Sequence, residues 1–488
     1  MQGKNNHSDK PALDYLFHPR SIAVTGVSTN TTGLNFGQML LKCLISAEFN
    51  RKLYPVGRGS EVFGLKIYPS IKDVPEAVDY VISALPAPLT PQLIADGATK
   101  GVKAIQMFTA GFSETGSEEG RELERQITTL ARRKGIRLIG PNCMGLYCPK
   151  TRLAFGTDFP KKSGSIGFIA QSGGNSIYAI REAATRGIYF SKVTSYGNAC
   201  DLNGADFLEY LAQDPETKII TAYIEGLKDG QRFIKVLRQA AREKPVIIFK
   251  GGTTEIGAKT AASHTSAIAG SGRIWHSLLQ QVGAIQVYSI EELVDVALLF
   301  TYMSPPRGKN TAVIGLGGGA SVQAADVCSN AGLAMPTLPV EIRQRLKDIL
   351  GMEAGNIFNN PLDLYHRGRQ ELIEQAVKVI ANYDQIDLLI MQIPFDMYAI
   401  PMAKPLGLYI KSLIKLSKGI NKRTAVVLSF IASAEYKQIT FARLIALSKA
   451  GFPVYPSVSR AANAISKFIQ YHRRQQMSGY GSSQNPQG

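Results

Sequence analysis

One histidine stands among small hydroxyl and methyl side chains. Gly251 to Gly272 reads GGTTEIGAKTAASHTSAIAGSG, and His264 is its imidazole. Imidazole titrates near neutrality and can serve as acid, base or nucleophile. Apart from Ile256 and Ile268, the stretch has no large apolar side chain to anchor it in a core. It therefore reads as a segment able to move. The competing reading is a Ser-capped helix start with His264 at the surface.

Three further groups could do chemistry with it. Glu225 follows the run KIITAYI (Lys218 to Ile224), which reads as a strand. A carboxylate at the carboxyl end of a parallel strand lies on the functional edge of a sheet; a solvated Glu in a turn is the alternative. Ser172, Gly173, Gly174 and Asn175 follow the strand SIGFIA (Ser165 to Ala170) and lead into a helix, Ser176 to Arg186. Backbone N–H groups at a helix start form an anion site, although many strand–helix turns look the same. The glycine turn GLGGGAS, Gly315 to Ser321, either cradles a phosphate or permits close packing of helix on strand.

These groups need a scaffold, and the chain supplies strands alternating with helices. Ser21–Val27, Lys52–Val56, Tyr80–Leu85 and Ala104–Phe108 read as strands, with helical stretches at Gly37–Ser46, Thr90–Lys100 and Glu118–Lys134 between them. That alternation predicts an open parallel sheet covered on both faces, with ligands at the carboxyl ends of its strands. The first turn, Gly26 to Gly33, lacks the GxGxxG spacing of a dinucleotide site. Val56-Gly57-Arg58 ends the second strand, where an acidic residue would bind the ribose of NAD. An arginine there suits a phosphate, or is merely solvated.

GPNCMG (Gly140 to Gly145) closes this first unit, and a turn-rich linker runs from 151 to about 163. A second α/β unit follows, with Lys218–Ile224 and Pro245–Phe249 among its strands. A Pro-rich break, Ser304 to Gly308, opens a third, with strands at Thr311–Gly315, Leu388–Gln392 and Thr424–Ser429. The division is therefore a loose N-terminal tail 1–12, domains at 13–150, 151–303 and 304–472, and a low-complexity, disordered tail 473–488.

Composition narrows the classes. The chain has 488 residues, 45% of them hydrophobic and 19% charged, ordinary for a globular protein of about three domains. No apolar run reaches the roughly 18 to 20 residues that cross a bilayer, and the N-terminus lacks the apolar region of a secretory signal. The five cysteines are scattered without a CxxC pair, which is cytoplasmic usage with no metal site. The formal charge of +17 suits anionic small substrates; no zinc-finger spacing, recognition helix or basic–aromatic interleaving supports nucleic acid.

Taken in order, the motifs resemble the α subunit of the NDP-forming acyl-CoA synthetases, the ADP-forming acetate–CoA ligases related to succinyl-CoA synthetase. Ala262-Ser263-His264-Thr265 with Ala269-Gly270 is similar to the family's phosphohistidine loop, SHTGSLAG. GPNCMG resembles GPNCLG, and AQSGGNS (170 to 176) resembles SQSGALG. SYGN (195 to 198), DFLEYLAQDPET (206 to 217), YIEG (223 to 226) and KPVIIFK (244 to 250) match further family segments. GGGASV (317 to 322) and NPLD (360 to 363) do so in the third unit.

The resemblance implies a Rossmann-like CoA-binding domain followed by two flavodoxin-like domains. It implies the reaction acyl-CoA + ADP + phosphate ⇌ carboxylic acid + CoA + ATP. Phosphate at Ser172, Gly173, Gly174 and Asn175 attacks the thioester. His264 then takes the phosphoryl group, and Glu225 holds the far ring nitrogen. Gly26, Ser28, Thr29 and Arg58 fall to the pantetheine and phosphates of CoA, and Thr109, Ala110 and Asn142 to its thiol end. The chain departs from the family at Ser266, where the family has Gly, and in a longer first turn. An ATP-grasp portion is absent from it. The resemblance thus implies a separate ATP-grasp β subunit bringing ADP or ATP with Mg²⁺, in an α₂β₂ assembly. The rival reading on the same fold is a catalytically silent CoA or acyl-CoA sensor; retention of both His264 and Glu225 favours the enzyme.

Overall fold

The apolar runs become parallel strands whose carboxyl ends share one edge of each sheet. The computed structural model describes residues 12–30, 33–265, 272–315, 317–351, 358–363, 370–394, 410–411, 413–416, 423–429 and 437–477. The chain forms two units: Met1–Arg181 with Tyr189–Ile290, and Glu182–Ile188 with Glu291–Gly488.

The first unit holds two sheets. In the first, β1 (Ser21–Ser28), β2 (Lys52–Arg58), β5 (Tyr80–Ser83), β6 (Ala104–Met107) and β7 (Arg137–Ile139) lie in the order β2-β1-β5-β6-β7, all parallel. A small ribbon of β3 (Glu61–Val62) and β4 (Leu65–Lys66) follows β2. Strands buried on both faces read as continuous apolar runs, and Tyr80–Ser83 and Ala104–Met107 are buried throughout. Helix Phe36–Ser46 starts with a capping box: Asn35 Oδ1 accepts from the Gln38 N–H (2.8 Å) and Gln38 Oε1 accepts from the Asn35 N–H (2.8 Å). Such a cap contributes about 1 kcal/mol.

The second sheet comprises β8 (Gly145–Tyr147), β9 (Ile166–Ala170), β10 (Phe190–Ser195), β11 (Ile219–Ile224), β12 (Val246–Lys250) and β13 (Ile285–Val287), ordered β13-β12-β11-β9-β10-β8. Only the edge strand β8 runs antiparallel, against β10. GPNCMG therefore does not simply close the first α/β domain. It leaves the first sheet after β7 and enters the second as β8. The two sheets share a core, in which the Phe17 and Tyr210 rings stack at 5.0 Å.

The second unit carries the third sheet: β14 (Thr311–Gly315), β15 (Leu362–Asp363), β16 (Leu388–Pro394), β17 (Arg423–Ser429) and β18 (Val454–Tyr455), parallel in the order β15-β14-β16-β17-β18. The NPLD segment braces it. Asn360 Nδ2 donates to the Thr311 carbonyl (2.8 Å), and Asp363 Oδ1 accepts from the Gly317 N–H (2.6 Å). Asp363 is buried against the glycine turn, so this stretch is tied into the sheet.

Two expectations are corrected. The stretch around His264 is not an open loop over its described part, because Glu255–Thr265 is helical. Its alanines and the Glu255–Lys259 pair (2.9 Å, i to i+4) favour helix, and Thr254 Oγ1 accepts from the Gly257 N–H (3.1 Å) at its start. Ser266 and Ile268 lie outside the described residues. The tail does not begin at Arg473 either: helix Val458–Met477 runs through it, its last turn carrying Arg474, as the helix dipole favours.

Candidate active site

The phosphate-type turn is built by a serine cap. Helix Gly173–Thr185 begins three residues earlier than the sequence pattern placed it, so Gly173, Gly174 and Asn175 form its first turn. Ser172 Oγ accepts from the Asn175 N–H (3.2 Å), and the Ser172 carbonyl accepts from the Ser176 N–H (3.1 Å) and hydroxyl (2.9 Å). N–H groups in a first turn have no intrahelical acceptor and carry the positive end of the dipole. Gly174 is exposed, and the turn presents these groups to a cavity.

That cavity, about 610 Å³, lies within the first unit where the carboxyl ends of the two sheets face one another. Ser172, Gly173 and Gly174 line it from the second sheet. Thr109, Ala110 and Asn142 line it from the first. Six of the expected residues thus meet around one space. Thr109 is fixed by its hydroxyl, which donates to the Leu85 carbonyl (2.6 Å), while its own carbonyl accepts from the Asn142 N–H (3.0 Å). Asn142 has φ +55°, a left-handed conformation Asn tolerates, and its bend turns the chain from β7 toward β8. The Phe36 and Phe108 rings, 4.9 Å apart, supply an apolar wall. Among the described residues the lining carries no charged side chain.

The remaining first-sheet residues lie outside this lining. Gly26, with φ +82°, ends the first strand's regular pairing at a register shift. A Cβ on Gly37 would fall 2.5 Å from the Gly26 carbonyl oxygen, so helix Phe36–Ser46 can approach β1 only through glycine there. Ser28 Oγ accepts from Asn35 Nδ2 (3.1 Å), and the Thr29 N–H donates to the Arg58 carbonyl (3.1 Å). Gly26, Ser28, Thr29 and Arg58 therefore form one patch over the ends of β1 and β2, with the Arg58 side chain exposed.

Glu225 is no turn carboxylate in solvent: it is 6% exposed, at the end of β11. Its N–H and that of Gly226 both donate to Gln171 Oε1 (2.5 and 2.9 Å), and its carbonyl accepts from Lys250 Nζ (2.7 Å). Tyr223 lies nearby, with Glu225 and Asn175 both in hydrogen-bonding reach of its hydroxyl; burial above all pushes that phenol's pKa up. Burial also pulls the Lys250 ammonium down to about 8, against the Glu225 charge that pulls it up. His264 belongs to the last turn of helix Glu255–Thr265, which packs beside the turn Ser113–Thr115 that follows Ala110.

Three residues escaped the sequence reading: Gln171, Lys250 and Asn198. Gln171 and Lys250 each stand at a strand end immediately before a turn already singled out, which was the available signal. Asn198 lines the cavity, is buried, and donates from Nδ2 to Glu124 Oε2 (3.1 Å) and to Glu114.

Comparison with known proteins finds two family matches. Residues 20–149 match the CoA binding domain family, and residues 163–300 the succinyl-CoA ligase like flavodoxin domain. The chain is 34% identical over 462 residues to the α subunit of ADP-forming acetate–CoA ligase II from Pyrococcus furiosus, covering 94% of this chain and 97% of that one. It is 35% identical over 382 residues to ADP-forming acetate–CoA ligase I from Archaeoglobus fulgidus, covering 78% of this chain and 54% of that longer one. The dinucleotide-forming acetyl-coenzyme A synthetase 1 of Ca. Korarchaeum cryptofilum, solved with phosphate and ADP, superposes with a TM-score of 0.80 at 30% identity, covering 97% of this chain and 99% of that one.

Proposed function

The chain belongs to the family of ADP-forming acetate–CoA ligase α subunits, and from that premise we propose that it carries the phosphoryl group between an acyl-CoA and ADP. The observation that carries this reading is the shared cavity. An anion-binding helix start (Ser172 to Gly174) faces Thr109, Ala110 and Asn142 across it, and Glu225 and the root of the His264 helix stand at the same sheet edge.

In this reading CoA lies along the carboxyl edge of the first sheet. Gly26, Ser28, Thr29 and Arg58 take its phosphates and upper pantetheine, and its thiol end enters the cavity. Phosphate at the Ser172 hydroxyl and the N–H groups of Gly173 and Gly174, beside Asn175, attacks the thioester carbonyl through one oxygen. The C–S bond breaks, CoA leaves as thiolate and is protonated, and an acyl phosphate remains. An imidazole nitrogen of His264 attacks phosphorus, and the carboxylate leaves with the electron pair of the P–O bond. Glu225 accepts from the other ring nitrogen and balances the imidazolium charge. A β-phosphate oxygen of ADP then attacks phosphorus, the P–N bond breaks, and ATP forms. These transfers need positioning and charge stabilisation more than further covalent groups.

We assign ADP or ATP and Mg²⁺ to an ATP-grasp β subunit in an α₂β₂ assembly. Support comes from the α-subunit relative that this chain matches end to end, and from the longer relative of which it covers 54%. We place the reaction in the cytoplasm, where the five free thiols persist reduced. The test is phosphorylation of the purified chain with a candidate β subunit and labelled Mg-ATP. Acid-labile, base-stable label on wild type and none on His264→Ala is the expected result. Label on neither, with acetyl phosphate also failing as donor and CoA still bound, would make the chain an acyl-CoA sensor.

A further inference from the structure

Both backbone groups of Glu225 are held by side chains, and each of those side chains roots one of the other two reacting segments. Gln171 is the residue between β9 and the phosphate turn; its Oε1 accepts from the N–H groups of Glu225 (2.5 Å) and Gly226 (2.9 Å). Lys250 ends β12, just before the segment leading to His264; its Nζ donates to the Glu225 carbonyl (2.7 Å) and to the Gly251 carbonyl. The three strands are neighbours, with β11 between β9 and β12. We infer that Gln171 and Lys250 are positioning residues that hold Glu225 in register with the phosphate turn on one side and the His264 segment on the other.

Ordinary sheet pairing does not require either side chain. The Gln171 N–H itself donates to the Tyr223 carbonyl (3.3 Å) and the Gly251 N–H to the Ile224 carbonyl (2.9 Å), so the strand ends already pair through backbone. A lysine 2% exposed is an expensive way to satisfy two carbonyls. Its Nζ lies over the Trp275 ring, 5.5 Å from the ring centre, and the Glu225 charge opposes the burial that lowers its pKa. A buried cation bridging two strand ends fixes their separation more narrowly than the flanking ladder. Glu225 must meet a ring nitrogen delivered by another segment, and misplacement of about 1 Å in such a geometry costs on the order of 10²-fold in rate.

The inference rests on the phosphohistidine reading, and the experiment separates the two. Single-turnover labelling of His264 is followed in the α–β complex for wild type, Lys250→Met, Lys250→Arg and Gln171→Met, alongside CoA binding by calorimetry. Wild type labels, which secures the reading. Lys250→Met and Gln171→Met then label on the order of tenfold to 10²-fold more slowly, Lys250→Met with CoA affinity unchanged, and Lys250→Arg recovers part of the rate. In a Glu225→Gln background, Lys250→Met adds no further loss, because a residue acting through Glu225 is coupled to it. Wild-type rates in both Met variants would overturn the inference and leave the reading intact. So would fully additive losses in the double variant. Absence of label on wild type would overturn both. If Lys250→Met fails to fold, Gln171→Met with its own Glu225→Gln double carries the same decision.

Discussion

At the scale of single residues, the role proposed for Glu225 turns on its charge. Its side chain is 6% exposed at a strand end, with the Tyr223 hydroxyl in hydrogen-bonding reach and Lys250 beside it. Glu225→Gln keeps the shape and removes the charge. It should slow labelling of His264 by roughly 10²-fold while leaving CoA affinity as in wild type. An unchanged labelling rate would remove Glu225 from the mechanism. A strand pattern ending just before it made the position of this residue legible, as it did that of Ser172 to Asn175, whereas Thr109 and Asn142 came only from the family resemblance. Gln171 and Lys250 were not legible, because their meaning lies in bonds across neighbouring strands. A one-dimensional pattern says which residues end strands. It does not say which carbonyl a side chain will reach.

At the scale of elements, the longest family-like segment proves to be architectural. Asp214 and Glu216, from the DPET turn before β11, hold the ammonium of Lys192 on β10 (2.9 and 2.7 Å). The turn lies at the amino edge of the sheet, opposite the cavity. Asp214 Oδ2 also accepts from the Thr217 hydroxyl (2.6 Å), and the Asp214 carbonyl from Lys244 Nζ (2.7 Å). Lys192 is 1% exposed and its ammonium is nonetheless pushed up, because the two carboxylates outweigh its desolvation. Lys192→Met leaves Asp214 buried without its cation, a loss of about 3–5 kcal/mol. Thermal unfolding of the first unit should move down accordingly, and Asp214→Asn added to it should recover much of the loss. An unmoved midpoint in the single variant would mean the triad contributes nothing net. The strands and most helices were legible because apolar runs and helical periods are local. The His264 helix was misread because its side chains are nearly all small. Helix propensity, not an apolar period in its sequence, marks it, and absence of an apolar period looks like absence of structure.

At the scale of the whole molecule, the second unit holds a half-buried imidazole through which acid pH acts on its stability. His472, on helix Val458–Met477 of the second unit, sits among the rings of Phe300, Phe468 and Tyr471, at 5.6, 4.5 and 5.1 Å. Burial there lowers its pKa to about 4 from the ordinary 6.5. A lowered imidazole pKa means that, between those values, the unfolded chain binds a proton that the folded chain refuses. Stability of the second unit therefore falls as pH drops from about 6.5 to about 4 and changes no further on this account below that. Since the ring is only partly buried, the loss is on the order of 1–2 kcal/mol, less than the full shift would give. The growing positive charge of a chain already at +17 acts over the same range, so the histidine must be isolated by difference. Denaturant unfolding of wild type and His472→Phe at several pH values does this. The variant should lose less stability than wild type between neutral pH and pH 4, with the gap opening below about 6.5 and levelling off at a constant value near 4. Parallel curves would mean the ring stays hydrated when folded. They would also mean that the acid response of the second unit is set by its carboxylates and net charge alone.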